Sequence, residues 1–261
     1  GTEKRIGKEI HIMLLASYAN GFYGSGRGFG YYGFDWTYVL VLIGLGITLI
    51  AQGHVKSTFA RYSKVRSAIG LTGAMAAEKV LHSAGIYDVG IEHISGSLTD
   101  HYDPRTKTLR LSDDTYGSNS VAAVCVAAHD CGHAIQHQTG YAPLALRSTL
   151  VPAANFGSQL AWPVFVAGLI FSLQPLLTAG IILFSLAVLF QLITLPVEFN
   201  ASSRALKVLE NTHMLGDTEL AGGRKVLGAA ALTYVASLAS SVLQLLRLIV
   251  IAGNRGGRRR D

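Results

Sequence analysis

His129 and His133 stand four residues apart, with Asp130, Cys131 and Gly132 between them. On an α-helix two such positions differ by about 40° in azimuth and about 6 Å along the axis, so both imidazoles converge on one metal ion. The carboxylate beside the first imidazole is placed to take a proton from water held at that ion, which is the chemistry of a zinc-dependent hydrolase. Asp130 occupies the position that the His-Glu-Xaa-Xaa-His pattern gives to Glu, and its side chain is shorter by one methylene, about 1.5 Å. A general base must come within about 2.6–3.2 Å of the water it activates. Asp130 therefore leaves open poor turnover, turnover through a second water, or none.

One continuous helix supplies two ligands and not a third. His137 continues the stripe but stands about 12 Å from His129, so it reads as a supporting or substrate-facing residue, with a surface cap as the alternative. The third ligand must come from elsewhere. Glu198 follows a long apolar run, where a bare charge is costly unless it has a partner. Two readings are open for it: a metal ligand, or an interfacial acid paired with Arg204. Donors for a developing oxyanion are sought among His137, Arg204, His213 and His101.

Cys131, two steps from His133, points to another helix face and reads as a small packed residue rather than a ligand. Cys125 and Cys131 would have their Cα atoms about 9 Å apart on one helix, too far for a disulfide. A reducing compartment fits that usage.

The elements that must position these residues are mostly apolar. Half of the 261 residues are hydrophobic and only 15% are charged, with a mean hydropathy of +0.36, too apolar for an ordinary soluble domain. Three stretches carry no formal charge, at 36–55, 148–197 and 226–246, and the middle one is long enough for two passes. Four membrane helices are expected, at about 37–53, 155–173, 176–196 and 228–248, with Gln174-Pro175 as the turn between the second and third. The last is rich in Ala and Ser and is read as spanning or re-entrant. The absence of ionisable residues from these spans argues against a transporter.

The net charge of +6 does not point to nucleic acid here, because the basic residues sit beside the apolar runs. Lys56, Arg61, Lys64 and Arg66 follow the first run with no acid among them, which places the segment 56–147 in the cytoplasm by the positive-inside rule. The segment 198–227 then returns to the same side. The tail 251–261, with Arg255, Arg258, Arg259 and Arg260, opposes that orientation if the fourth helix spans. The arm 1–35 is rich in Gly and aromatic residues; Gly1-Thr2 reads as a cloning remnant, and residues 10–18 as a short surface helix. A lid formed by this arm is an alternative.

Within the segment 56–147 the chain is expected to continue from the first membrane helix as a basic amphipathic helix at 57–65. A second helix at 72–83 is expected to start at Thr72 and end at Gly85. Residues 89–112 change to period two, giving one strand and a hairpin that turns at Asp103-Pro104. Such a sheet offers an edge on which an extended peptide can lie. Ser118 or Ser120 then caps a helix at about 121–138 that carries both histidines. The expected fold is mainly α: an integral membrane protein of about four membrane helices with a small zincin-like α+β part. The domain plan runs 1–35, 36–55, 56–147, 148–197, 198–227, 228–250 and 251–261.

Several segments together resemble the membrane-embedded neutral zinc metallopeptidases of bacteria, a gluzincin-like group. They are Val55-Lys-Ser-Thr-Phe, Tyr62-Ser-Lys-Val-Arg-Ser, Gly70-Leu-Thr-Gly, Leu98-Thr-Asp-His-Tyr-Asp-Pro-Arg-Thr-Lys and Leu111-Ser-Asp-Asp. The strongest are Val126-Ala-Ala-His-Asp-Cys-Gly-His-Ala-Ile-Gln-His and Leu195-Pro-Val-Glu-Phe-Asn-Ala-Ser. The resemblance covers about 34–250. It implies His129, His133 and Glu198 as Zn2+ ligands, Asp130 at the position of the catalytic acid/base, and polypeptide cleavage at the cytoplasmic face of the bacterial membrane. Asn200, where an Asp commonly follows the ligand Glu, and Asp130 are this chain's departures. A zinc-containing pseudoprotease or polypeptide-binding scaffold without turnover is the rival reading.

Overall fold

A computed structural model describes residues 36–257, with side chains as far as residue 254. The arm 1–35 with its expected short helix, and Arg258, Arg259 and Arg260 of the basic tail, lie outside the described residues. Six helices and three strands follow in the order α1 (Tyr38–Tyr62), α2 (Gly73–Ser83), β1 (Gly90–His93), β2 (His101–Asp103), β3 (Thr108–Leu111), α3 (Val121–Gln138), α4 (Ala142–Ile170), α5 (Gln174–Asn211) and α6 (Asp217–Gly257). The chain divides into two units. One comprises 50–148 with 193–234, and the other, among the described residues, 36–49, 149–192 and 235–257.

The first unit holds the α+β part. Thr72 caps α2 by accepting a hydrogen bond from the Met75 amide at 3.3 Å, and Gly85, at φ 73°, follows its end. Ser120, rather than Ser118, caps α3, accepting from the Ala123 amide at 3.2 Å. A cap of this kind contributes about 1 kcal/mol. The expected hairpin forms as β2 and β3, antiparallel with Asp103 opposite Thr108, and the expected single strand forms as β1, which pairs parallel to β3. The sheet order β1-β3-β2 leaves β2 an edge strand. Asp103 closes the turn by accepting from the Arg105 amide at 3.0 Å.

The core of this unit gathers Val80 and Leu81 of α2, Leu109 and Leu111 of β3, Val121 and Val124 of α3, and Leu209 of α5. Each such side chain stabilises the fold by about 1.5–3 kcal/mol, so the helix carrying the histidines is fixed along most of its length. Cys125 and Cys131 are buried free thiols, as expected. Burial raises both thiol pKa values, that of Cys125 to about 12.

The second unit has a different chemistry. Its core joins Phe165, Leu177, Leu248 and Ala252. Hydrocarbon competes with apolar side chains for such contacts, so close backbone approach at small residues carries more of the packing. At Gly180 an added Cβ would lie 2.7 Å from the Cβ of Phe165.

Among the described residues four helices, α1, α4, α5 and α6, are long and apolar enough to cross a membrane. Their extents differ from the hydropathy reading. The basic segment continues the first helix, as expected, but α1 ends at Tyr62 rather than at Val65. Helix α5 continues to Asn211, and α6 is one unbroken helix from Asp217. An apolar run marks where lipid contact ends, whereas Lys, Arg, Glu and Leu beyond it keep helix propensity. The turn between α4 and α5 falls at 171–173, with Ser172 at φ 53°, and Pro175 lies in the first turn of α5, where its missing N–H costs nothing.

Candidate metal centre

On α3 the rings of His129 and His133 meet edge to face, their centroids 4.9 Å apart. Ligand atoms of His129, Asp130 and His133 lie within 4.8 Å of one another. Glu198 on α5 comes closer still. Its Oε2 is 3.3 Å from His129 Nε2 and 3.7 Å from His133 Nε2. Two ligand atoms sharing one tetrahedral zinc at about 2.0–2.1 Å stand about 3.3 Å apart.

Gly132 explains how α5 reaches this position. A Cβ there would sit 2.4 Å from the carbonyl oxygen of Ala201, a backbone atom that cannot swing aside. The glycine between the two histidines thus lets α5 cross α3 at contact distance. Around that crossing α5 delivers Glu198, three residues before Ala201, and Ser202, the residue after it.

The hydrogen bonds decide which ring nitrogens face the centre. Gln136 gives its Nε2 to the Val197 carbonyl at 2.8 Å and to Asn200 Oδ1 at 3.0 Å. A carbonyl only accepts, so the amide orientation of Gln136 is set and its Oε1 faces His133 Nδ1 at 3.1 Å. That nitrogen must donate. In the neutral ring His133 Nε2 then turns a lone pair toward a carboxylate oxygen, and two acceptors at this separation need a cation between them. Without metal a proton meets the need: burial opposes charge on His133, but the Glu198 carboxylate outweighs it and raises the pKa to about 9. His129 Nδ1 is 3.0 Å from Ser202 Oγ, which leaves its Nε2 for the centre as well.

Glu198 is 3% exposed. Its Oε1 accepts from the Arg147 guanidinium at 2.8 Å, whereas Oε2 has no hydrogen-bond partner. A buried carboxylate oxygen left unpaired costs on the order of 1–3 kcal/mol or more. Its place between two imidazole nitrogens is where a divalent cation would recover that cost. The donor set of two imidazoles and a carboxylate suits zinc.

Other residues singled out from the sequence fall as follows. Asp130 is buried on the helix turn next to His129. Arg204 does not pair with Glu198; it gives its Nε to Asn200 Oδ1 at 2.7 Å and lies over the Tyr141 ring. Asn200 thus joins Gln136 to Arg204. His137 is exposed, with Nδ1 2.9 Å from the Tyr102 hydroxyl, which ties β2 to the metal helix. His101 sits on β2 with Nδ1 2.9 Å from the Thr99 carbonyl. His213 is exposed at φ 51° in the turn that ends α5.

Sequence reasoning missed Arg147, Gln136, Ser202 and Gly132, and also Tyr234 of α6, which lies near Glu198. Only Gln136 left a signal, three residues beyond His133 and so on the same helix face.

Four apolar helices, a small mixed sheet, and a His-Xaa3-His helix facing a carboxylate on the neighbouring helix describe a membrane protein with a candidate metal centre. The chain belongs to the family described as "Putative neutral zinc metallopeptidase", which it matches over residues 37–253. Zn2+ is the metal of that family, and polypeptides are what peptidases act on. The chain is also 48% identical over 212 residues to the "Putative membrane protease YugP" of Bacillus subtilis (strain 168), covering 81% of this chain and 94% of that protein. No solved structure matches it.

Proposed function

We propose that this protein is a zinc-dependent endopeptidase that cuts polypeptides at the cytoplasmic face of the membrane. His129, His133 and Glu198 hold the metal, and Asp130 is the general acid/base. The observation that carries the reading is Glu198 Oε2, buried and without a hydrogen-bond partner at 3.3 and 3.7 Å from two imidazole nitrogens. Asp130 belongs to the same cluster, but Glu198 approaches both rings more closely, so the longer carboxylate is assigned to the metal and the shorter one to water.

Zinc bound there supplies Lewis acidity toward a scissile carbonyl and lowers the pKa of water. Ser202 and Gln136 hold the two imidazoles with Nδ1 protonated, and Arg147 holds the carboxylate. Asp130 takes a proton from the attacking water and passes it to the nitrogen of the leaving amine. A peptide adding to the edge of β2 would lie along a strand that Tyr102 and His137 fasten to α3. The basic cluster Lys56, Arg61, Lys64 and Arg66 supports the cytoplasmic side.

Zinc-loaded protein in detergent is expected to cleave an unstructured polypeptide, to stop on chelation and to recover with zinc. Restoring the missing methylene, Asp130→Glu, is expected to raise kcat by up to about 100-fold, within the span of general acid/base effects. If neither protein cuts while both bind zinc and polypeptide, the scaffold reading replaces this one. Labelling of a Lys64→Cys variant in intact cells and in inverted vesicles tests the orientation, and reaction from the outside would reverse it.

A further inference from the structure

A second site is suggested by a groove whose lining shares no residue with the metal centre. It has a volume of about 360 Å3 and is lined by His54, Thr58, Arg61 and Tyr62 of α1 and by Lys225, Gly228 and Ala229 of α6. That volume falls within the roughly 300–1,000 Å3 of small-molecule sites. Its walls are mostly carbon, and its ionisable groups are all cationic or neutral. Arg61, Lys225 and His54 have no carboxylate partner among the described residues. The acids of α6 lie elsewhere on the helix: Glu219 accepts from the amides of Ala68 at 2.7 Å and Gly216 at 2.8 Å.

The helices are held close beside the groove and open over it. At Gly222 an added Cβ would lie 2.5 Å from the Tyr62 ring, whereas at Gly228 it would meet nothing within 4 Å. Both helices are membrane-crossing candidates, and the groove lies where their apolar stretches meet charge. On α1, Ile50, one turn before His54, is 73% exposed. A groove with cations at its rim, carbon on its walls and apolar helix beyond it fits an amphiphile with an anionic head.

We propose that this groove binds the phosphate of an anionic phospholipid, with Arg61 and Lys225 on the headgroup and the acyl chains along the apolar turns of α1. Free phosphate would satisfy the cations but not the carbon walls. Such a lipid would brace α1 against α6, the helix that also carries Tyr234.

The test is native mass spectrometry of the detergent-purified full chain offered equal phosphatidylglycerol and phosphatidylcholine, with zinc content as the check on folding. Phosphatidylglycerol is expected to be retained in preference. Arg61→Gln and Lys225→Gln should each lower its retention about fivefold, the effect of one basic residue at an anionic leaflet. Gly228→Leu, which fills the groove and keeps every charge, should lower it comparably. Lys64→Gln, outside the lining, should change it less than twofold. Retention insensitive to Gly228→Leu, or equally sensitive to Lys64→Gln, would show diffuse attraction and overturn the site. Inorganic phosphate binding as tightly as short-chain phosphatidylglycerol would overturn the lipid.

Discussion

The two units bury charge in opposite ways. Every carboxylate among the described residues belongs to the unit 50–148 with 193–234, and there Glu198 is enclosed by one guanidinium and two imidazoles. In the other unit Arg247, 7% exposed, makes do with the Thr37 hydroxyl at 3.3 Å and the face of Tyr38 at 4.3 Å. Both groups are out of water, but only Glu198 keeps an orphaned oxygen, and it faces two imidazole nitrogens. An arginine on a hydroxyl and a ring is a satisfied anchor. A carboxylate with a spare lone pair facing two more is a place for an ion.

The widest gap between the two should appear on deleting each arginine. Arg147→Met leaves Glu198 buried without its guanidinium, and breaking such a pair costs about 3–5 kcal/mol. Denaturant unfolding of the zinc-free protein measures this, and saturating zinc should recover part of it by supplying charge from the other side. If Arg147→Met were no more damaging than the same change at Arg247, the two burials would be alike and the comparison would fail.

Next comes the ion itself. Glu198→Gln keeps shape and hydrogen bonding but removes the charge from the proposed ligand. Loss of zinc affinity should exceed the roughly 100-fold that marks the upper end for residues supporting a ligand. Competition with a chromogenic chelator reads it directly. An effect below tenfold would move the third-ligand role to Asp130, the other carboxylate in the cluster.

A smaller effect probes the crossing that brings the ligands together. Gly132→Ala places a methyl 2.4 Å from the Ala201 carbonyl oxygen, and overpacking of this kind costs about 1–3 kcal/mol. Because Glu198 and Ser202 both ride on α5, the same change should weaken zinc binding without altering any ligand. Intact zinc affinity would show that α5 can move away without disturbing the site.

Local signals were legible where periodicity and caps coincide: α3 spans the expected 121–138, and Thr72 and the Asp103 turn sit where their side-chain chemistry placed them. Helix ends beyond the bilayer were not, because hydropathy records the medium around a helix rather than its hydrogen bonds. In the site, the His129 and His133 pair follows from spacing alone. Arg147 does not, since 51 residues separate it from Glu198 and nothing local links the two. Gly132 was hidden because a glycine's role in a close crossing is visible only once the second helix is there.

The smallest effect belongs to Arg247, and it sharpens the comparison by being small. Arg247→Met keeps the side chain's length and carbon packing while removing a cation–π contact worth about 2 kcal/mol when desolvated and one neutral hydrogen bond. The loss is offset because no carboxylate is stranded, and the new side chain is at home in hydrocarbon. The net change in unfolding free energy should therefore stay at or below about 2 kcal/mol, with zinc affinity unchanged. Thermal unfolding in detergent, with and without zinc, reads both quantities. A loss of zinc affinity on Arg247→Met would mean that the second unit helps set the metal centre, and the separation of an anchoring charge from an ion-binding one would no longer hold.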